Sequence, residues 1–297
     1  MVSLGVDIGG SSVKALILED GREIGRWRSD RYCGADASAL RDGLAAVAKD
    51  AAGVLRTRQV DSLALCVPGV LDPAGQIVVK SVNLPGIEGI RLREVIDEAF
   101  GPSVRPSSAM RIVSDARAAT HDVCIARGLA GRVLGVVLGT GVGGAVLDDL
   151  VPLQVSGQSP GHIGQWDATL DERDDHTPIG PDGGRGGLEA YIGLSSLTAR
   201  YGALELEARL AKLTRRDPPL RALARAVRIA HAAFRPDHVL LLGGVGIAIG
   251  PAIQELRALV GDALTSLARG GWTLASGEDL FHAARGAARL GAEQHLP

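Results

Sequence analysis

Two apolar runs in this chain are each broken at the centre by glycines, and the repetition leaves few folds open to it. Val2 to Leu18 reads Val-Ser-Leu-Gly-Val-Asp-Ile-Gly-Gly-Ser-Ser-Val-Lys-Ala-Leu-Ile-Leu, and Val133 to Leu147 reads Val-Leu-Gly-Val-Val-Leu-Gly-Thr-Gly-Val-Gly-Gly-Ala-Val-Leu. Each is a pair of buried strands joined by a turn. Each also opens one half of the chain and is followed by further strand and helix, as in a duplicated α/β lobe. A length of 297 residues accommodates two modest lobes sharing a cleft. Aromatic residues are few and alanine and glycine abundant, which suits helices packed closely on sheets.

The charge balance narrows the function classes. A formal net charge of −2 gives no basic excess for nucleic acid, and the arginines scattered over alanine-rich helices read as solvated faces. The amino end runs directly into a strand with no basic region ahead of it, so no signal peptide is expected, and no apolar run is long enough to span a bilayer. Cys33, Cys66 and Cys124 are odd in number and widely spaced, as reduced thiols of a cytoplasmic protein would be.

Chemistry enters through residues out of place in their surroundings. Glycine is used where backbone must approach a ligand closely or turn with positive φ, and consecutive exposed N–H groups form a nest for an anion. Asp7 interrupts an apolar run, where a carboxylate is costly unless paired, hydrogen-bonded or associated with a metal. It therefore reads either as an indirect, water-mediated holder of Mg²⁺ beside Gly9, Gly10, Ser11 and Ser12, or as the capping residue of an ordinary hairpin. Gly139, Thr140, Gly141 and Gly143 form the second such turn. Asp115 ends the apolar run Met110-Arg-Ile-Val-Ser and leads into an alanine-rich segment, so it is either a base for a hydroxyl proton or a helix N-cap.

In chain order, Arg22 to Arg31 continues the first meander, 35–59 is an amphipathic helix, and Ser62 to Val67 is a buried strand ending in Pro68-Gly69. Asn83 precedes Leu84-Pro85-Gly86, where it is either a ligand for a sugar hydroxyl or a turn asparagine. Helices follow at 91–100 and 116–130. The polar loop at 152–166 contains Gly161-His-Ile-Gly-Gln, and 167–187 is loop too. Leu188 starts an interrupted helix to Ala211, Pro218 to Phe234 is helical, and Asp237 to Leu242 is a strand. Gly243-Gly244-Val245-Gly246 then serves either a nucleotide or close helix–strand packing. A helix at 251–267, a short strand at 272–274 and a helix at 281–294 that returns to the first lobe complete the chain.

The order of motifs resembles the ROK family of bacterial sugar kinases and repressors. The resemblance rests on Asp7-Ile-Gly-Gly-Ser-Ser, Val67-Pro-Gly, Asn83-Leu-Pro-Gly, Ser114-Asp115-Ala, Leu138-Gly-Thr-Gly-Val-Gly-Gly, Gly161-His-Ile-Gly-Gln, Gly186-Gly-Leu-Glu and Leu242-Gly-Gly-Val, which cover nearly the whole chain. It implies an α/β, two-lobed actin-like ATPase (ribonuclease H-like) fold with an interdomain cleft. The small lobe would be 1–115, completed by 281–297, and the large lobe 116–280. The implied activity is that of a glucokinase-like enzyme carrying the γ-phosphate of ATP, with Mg²⁺, to the 6-hydroxyl of a hexose or hexose derivative, within a homodimer. Asp115 matches the catalytic base. Asp7, Gly9, Gly10, Ser11 and Ser12 match the first phosphate motif, and Gly139, Thr140, Gly141 and Gly143 the second. Gly243 and Gly244 match the adenosine-side motif. Asn83, Ser114, His162, Gln165 and Glu189 fall at sugar-binding positions.

The departures are specific. Ser114 stands where the family usually has Asn, and His162 and Gln165 replace its Glu-x-x-His pair. The family zinc signature Cys-x-Cys-Gly-x-x-Gly-Cys aligns with Gly180-Pro-Asp-Gly-Gly-Arg-Gly-Gly, so its three thiolates are missing and no structural zinc of that kind is expected. His176 beside Asp174 and Asp175 reads as part of a solvated acidic loop. A sugar kinase with shifted or relaxed specificity follows. The competing readings are a repressor-type binding module, which the start of the first strand near residue 2 disfavours, and a degenerate kinase that binds without turnover. A third is a polyphosphate-using glucokinase, because Ser11-Ser12-Val13-Lys14 is similar to the first hairpin of such relatives.

Overall fold

The structure, a computed structural model, describes residues 1–32, 36–72, 76–105, 110–155, 161–170, 177–268 and 270–293. Cys33 and the stretch 174–176 lie outside the described residues. The chain forms two compact units, Met1–Asp122 with Phe281–Pro297, and Val123–Leu280.

The first unit opens with the strands β1 (Val2–Ile8), β2 (Val13–Glu19) and β3 (Arg22–Arg28), followed by α1 (Ala37–Leu55) and β4 (Ser62–Cys66). A small hairpin of β5 (Val70–Leu71) and β6 (Val78–Lys80) comes next, then α2 (Leu92–Phe100), β7 (Met110–Val113) and α3 (Asp115–Arg127). The division between units falls within α3. Five strands form a mixed sheet in the order β3-β2-β1-β4-β7, antiparallel from β3 to β1 and parallel from β1 to β7. Every residue of β1 and β4 is buried, so both strands are almost continuously apolar instead of alternating. Asp36 caps α1 by accepting from the Ala39 N–H at 2.8 Å, and Leu40, Leu44, Val47, Ala51 and Leu55 recur at helical spacing on its buried face.

The second unit repeats the plan. It holds β8 (Arg132–Leu138), β9 (Val142–Asp148), β10 (Val151–Pro152), the short helices α4 (Leu188–Ile192), α5 (Leu194–Tyr201) and α6 (Leu206–Leu210), and α7 (Pro218–Phe234). Then come β11 (His238–Leu242), α8 (Gly243–Ile249), α9 (Ile253–Ala263) and β12 (Thr273–Ser276). Its sheet order is β10-β9-β8-β11-β12, again three antiparallel strands followed by two parallel ones. The glycines at 243–246 depart from expectation. They are not a loop ahead of a helix at 251–267; they form the first turn of α8, and α9 ends at Ala263. Glycine disfavours a helix interior, so local propensity conceals α8, and tertiary packing overrides it.

The last helix, α10 (His282–Glu293), belongs to the first unit and lies against β1, β2 and β4. A Cβ on Gly5 would sit 1.9 Å from the Ala284 carbonyl oxygen, and one on Gly286 would sit 1.9 Å from that of Ala118. Only glycine at both contacts, in an alanine-rich helix, permits backbones this close. Asp122 is fully buried and accepts from His282 Nδ1 at 2.7 Å and Arg285 at 3.2 Å, with Arg289 3.1 Å from its other oxygen. One carboxylate thus ties α3 to α10. Cys66 and Cys124 are free and buried, and burial pushes both thiols up.

Candidate active site

Asp115 stands where β7 gives way to α3, and capping of that helix falls to its neighbour. Ser114 Oγ accepts from the Arg117 N–H at 3.2 Å and its carbonyl accepts from Ala118 N–H at 3.0 Å, which makes Ser114 the cap. Serine caps a helix about as well as asparagine, so the departure at this position preserves the local structure. Asp115 is left as the first helical residue, with one oxygen accepting from Ala116 N–H at 2.7 Å. The residue keeps some exposed surface, yet its carboxyl group is desolvated. Burial first, and the Asp7 carboxylate second, push it up to about 6 against the opposing pull of the Ala116 N–H and Lys14. A carboxylate at such a value is a usable base near neutral pH.

The first turn is built from residues 9–12. Gly9 N–H donates to the Ser12 carbonyl at 3.1 Å and closes it. Tyr32 braces it by donating its hydroxyl to the Gly9 carbonyl at 2.6 Å, and its backbone N–H reaches the Ser11 carbonyl at 3.1 Å. The N–H groups of Gly10 and Ser11 donate to no protein acceptor among the described residues. Ser11 is half-buried, whereas Ser12 is buried and its hydroxyl accepts from Arg28 Nε at 3.2 Å, so that side chain is engaged by the protein. Asp7 and Lys14 are cross-strand partners two positions back from the turn, and Lys14 Nζ lies 2.9 Å from Asp7 Oδ2 with both side chains nearly buried. The ammonium is 3.9 Å from where a Cβ on Gly9 would be.

Neither Tyr32 nor the Lys14 pairing is among the site residues expected from sequence. Lys14 carries a signal all the same: residues 7 and 14 are equidistant from the centre of a four-residue hairpin turn, which puts them opposite each other. Tyr32 carries none, because its place depends on how the chain leaves β3. Asn83, also in the first unit, is half-buried and its amide makes no hydrogen bond among the described residues.

In the second unit, residues 139–141 make the equivalent turn. Gly139 N–H donates to the Gly141 carbonyl at 2.9 Å, and Leu194 N–H donates to the Gly139 carbonyl at 3.0 Å. Thr140 and Gly141 N–H groups donate to no protein acceptor among the described residues. A Cβ on Gly139 would meet nothing within 4 Å, and φ there is not positive, so neither strain nor protein packing demands glycine. Space of that kind, with free N–H groups beside it, fits a phosphate. Gly143 is half-buried in β9. Gly243 differs from Gly139: its φ is +77° and a Cβ would lie 2.4 Å from the Leu138 carbonyl oxygen, so packing of α8 on β8 already requires glycine. Gly244 is less constrained, since its Cβ would meet only Leu280 at 3.8 Å.

Glu189 is buried on α4, and its Oε2 accepts from Val142 N–H at 2.9 Å, directly after the turn. It therefore anchors the second hairpin whatever else it binds. His162 precedes the 3₁₀ turn Ile163–Gln165 and Gln165 ends it, and both are exposed. Gln165 Nε2 donates to Asp182 Oδ2 at 2.9 Å, joining this segment to residues 177–187, which are ordered more than a loop reading implies. Bridges pair Ile179 with Arg185 and Asp167 with Gly187, Gly180 N–H donates to the Gly184 carbonyl at 2.8 Å, and Asp182 Oδ1 accepts from Gly184 N–H at 3.0 Å. These hydrogen bonds hold the stretch aligned with the family's zinc signature, and its residues offer no donor set that fits zinc.

Among the described residues, no helix is long and apolar enough to cross a membrane. A comparison with curated protein sequences gives no match. Solved structures do match. A ROK family glucokinase from Streptomyces griseus in complex with glucose and AMPPNP is similar at 17% identity and a TM-score of 0.74, over 99% of this chain and 100% of that one. A ROK hexokinase from Thermus thermophilus is similar at 21% identity and a TM-score of 0.69, over 99% of each chain. An inorganic polyphosphate/ATP-glucomannokinase from Arthrobacter sp. strain KM is similar at 19% identity and a TM-score of 0.65, also over 99% of each. With the ROK family model matching residues 3–294, the chain belongs to the ROK family and has its α/β, actin-like ATPase fold.

Proposed function

We propose that the chain is an ATP-dependent sugar kinase that transfers the terminal phosphoryl group to the 6-hydroxyl of a hexose or hexose derivative. The observation that carries this reading is Asp115: a strand-end carboxylate relieved of capping by Ser114 and raised to about 6. It accepts the hydroxyl proton as the sugar oxygen bonds to phosphorus and the bond to the departing ADP oxygen breaks. The N–H groups of Gly10, Ser11, Thr140 and Gly141 would serve phosphate, Gly243 and Gly244 the adenosine side, and Asn83, His162, Gln165 and Glu189 the sugar. Asp7 Oδ1 makes no hydrogen bond among the described residues, which fits a water-mediated hold on Mg²⁺ while Oδ2 keeps Lys14. Bound Mg²⁺ supplies neutralising charge for the phosphates.

A coupled assay of ADP release over a panel of hexoses and hexosamines tests the proposal, with Asp115→Ala as control. No sugar-dependent release with any acceptor would favour a protein that binds sugar or nucleotide without turnover. One observation favours a second donor: the Lys14 ammonium beside the first turn suits a chain of phosphates that lacks adenosine, and the Arthrobacter protein is described as a polyphosphate/ATP enzyme. Substituting polyphosphate for ATP in an assay of sugar phosphate formation separates the two donors.

A further inference from the structure

Tyr32 meets the first turn at two points, and both contacts are remote along the chain. It follows β3, where the chain leaves the sheet and returns to residues 9–12. Its hydroxyl donates to the Gly9 carbonyl at 2.6 Å and its N–H to the Ser11 carbonyl at 3.1 Å. The ring lies beside α1: a Cβ on the buried Gly43 would sit 3.5 Å from Tyr32 Cε1, 3.3 Å from Val13 Cγ2 and 3.4 Å from Ser29 Oγ. Ser29 fixes the start of the return, accepting from Val13 N–H at 3.0 Å and donating to the Asp30 carbonyl at 2.9 Å. Burial first, and the Asp7 carboxylate second, push the Tyr32 phenol up, so its hydroxyl keeps its proton at physiological pH.

The carbonyl that Tyr32 holds belongs to the same peptide group as the Gly10 N–H. A trans peptide is planar, with its C=O and N–H pointing opposite ways, so a partner for one sets the direction of the other. At this peptide the help is needed, because neither Gly9 nor Gly10 has a Cβ to restrict rotation of the plane. A hydrogen bond to the carbonyl also polarises the group and strengthens its N–H as a donor.

The second turn reaches the same result by other means. Leu194 N–H, at the start of α5, donates to the Gly139 carbonyl at 3.0 Å, and the N–H of that peptide is the one on Thr140, free of protein acceptors among the described residues as Gly10 is. In each turn, then, the free N–H that follows the first glycine is aimed by a donor to that glycine's carbonyl. In the second turn the donor is backbone; in the first it is a single side-chain oxygen that substitution can remove.

We propose that Tyr32 is a positioning residue for the phosphoryl donor: by holding the Gly9 carbonyl, it aims the Gly10 N–H at the phosphate bound in the first turn. The inference rests on the reading of that turn as a phosphate site. Tyr32 acts only through Gly10, so its loss weakens the hold on the nucleotide and spares the hold on the sugar.

Tyr32→Phe tests this, because it keeps the ring, its packing and the backbone bond to Ser11. The full-length variant is expected to melt cooperatively within a few degrees of the parent. In calorimetric titration with AMPPNP and Mg²⁺ it should bind roughly tenfold more weakly, and in the coupled assay KM for ATP should rise by a similar factor while KM for the sugar holds. An AMPPNP affinity equal to the parent's overturns the proposal, and so does an equal rise in both KM values, which marks general damage to the unit. A parent chain that binds AMPPNP yet phosphorylates no sugar defeats the kinase reading alone, since the AMPPNP comparison still decides the role of Tyr32. A parent that does not bind AMPPNP overturns both.

Discussion

The turn at 9–12 and the turn at 139–141 occupy the same place in two sheets of the same strand order, but they are furnished differently. In each, the first glycine closes the turn with its N–H and has its carbonyl capped by a donor from elsewhere in the unit, Tyr32 hydroxyl in one and Leu194 N–H in the other. In each, two further N–H groups are left over. Around the first stand Asp7, Lys14 and Asp115, close enough for Asp7 and Lys14 both to act on the Asp115 carboxyl. Around the second, Glu189 is spent on the Val142 N–H. The two copies of the scaffold thus differ in their surroundings: ionisable side chains stand around the first turn, and backbone N–H groups with an engaged carboxylate around the second.

Removing charge from the first copy has the largest expected effect. Asp115→Asn should lower kcat/KM for phosphoryl transfer by roughly 10²–10⁴-fold, while the parent shows an acid limb near pH 6 that the variant lacks. The same change should stabilise the fold at pH 7. Asp115 is raised from 3.8 to about 6, so its contribution favours the folded state most below pH 3.8 and is lost as pH rises through about 6. The gain at neutral pH, allowing for the residue's partial exposure, is on the order of 1–2 kcal/mol by denaturant titration.

Next in size is Gly243→Ala, which needs positive φ and drives a methyl group into the Leu138 carbonyl. It should cost about 2–4 kcal/mol of stability and damage the second unit before any ligand is added. Lys14→Met leaves Asp7 nearly buried without its cation; a loss of about 1–3 kcal/mol is expected, together with an acid limb moved above that of the parent, because Lys14 lowers the Asp115 value. Gly139→Ala sharpens the contrast most finely. With open space around the added methyl, the Tm should hold within a degree or two, while KM for the nucleotide rises by about tenfold, or 1.4 kcal/mol. An unchanged KM would mean the second turn is only a turn.

Much of this is legible in the amino-acid sequence alone. Both glycine hairpins stand out because glycine is rare inside apolar strand pairs, and Asp115 because an acid ends a buried run. The features that sequence does not disclose depend on contacts remote along the chain. Whether Asp115 or Ser114 caps α3 turns on which oxygen reaches the Arg117 N–H. Glu189 has the position of a sugar ligand, but its bond to Val142, 47 residues away, gives it a structural task that no local pattern marks. Gly243 and Gly139 look alike in sequence, yet the Leu138 carbonyl constrains one and nothing constrains the other. The order at 177–187 rests on hydrogen bonds between glycines, which leave no mark in composition.

The place of α10 has a consequence for how the chain is made. Val123 to Leu280 is contiguous and can begin folding while synthesis continues, but the first sheet lacks the helix that covers Gly5 until α10, made after that unit, emerges. At about 5–20 residues per second, β1 and β4 wait on the order of ten seconds or more before the helix that covers them is made.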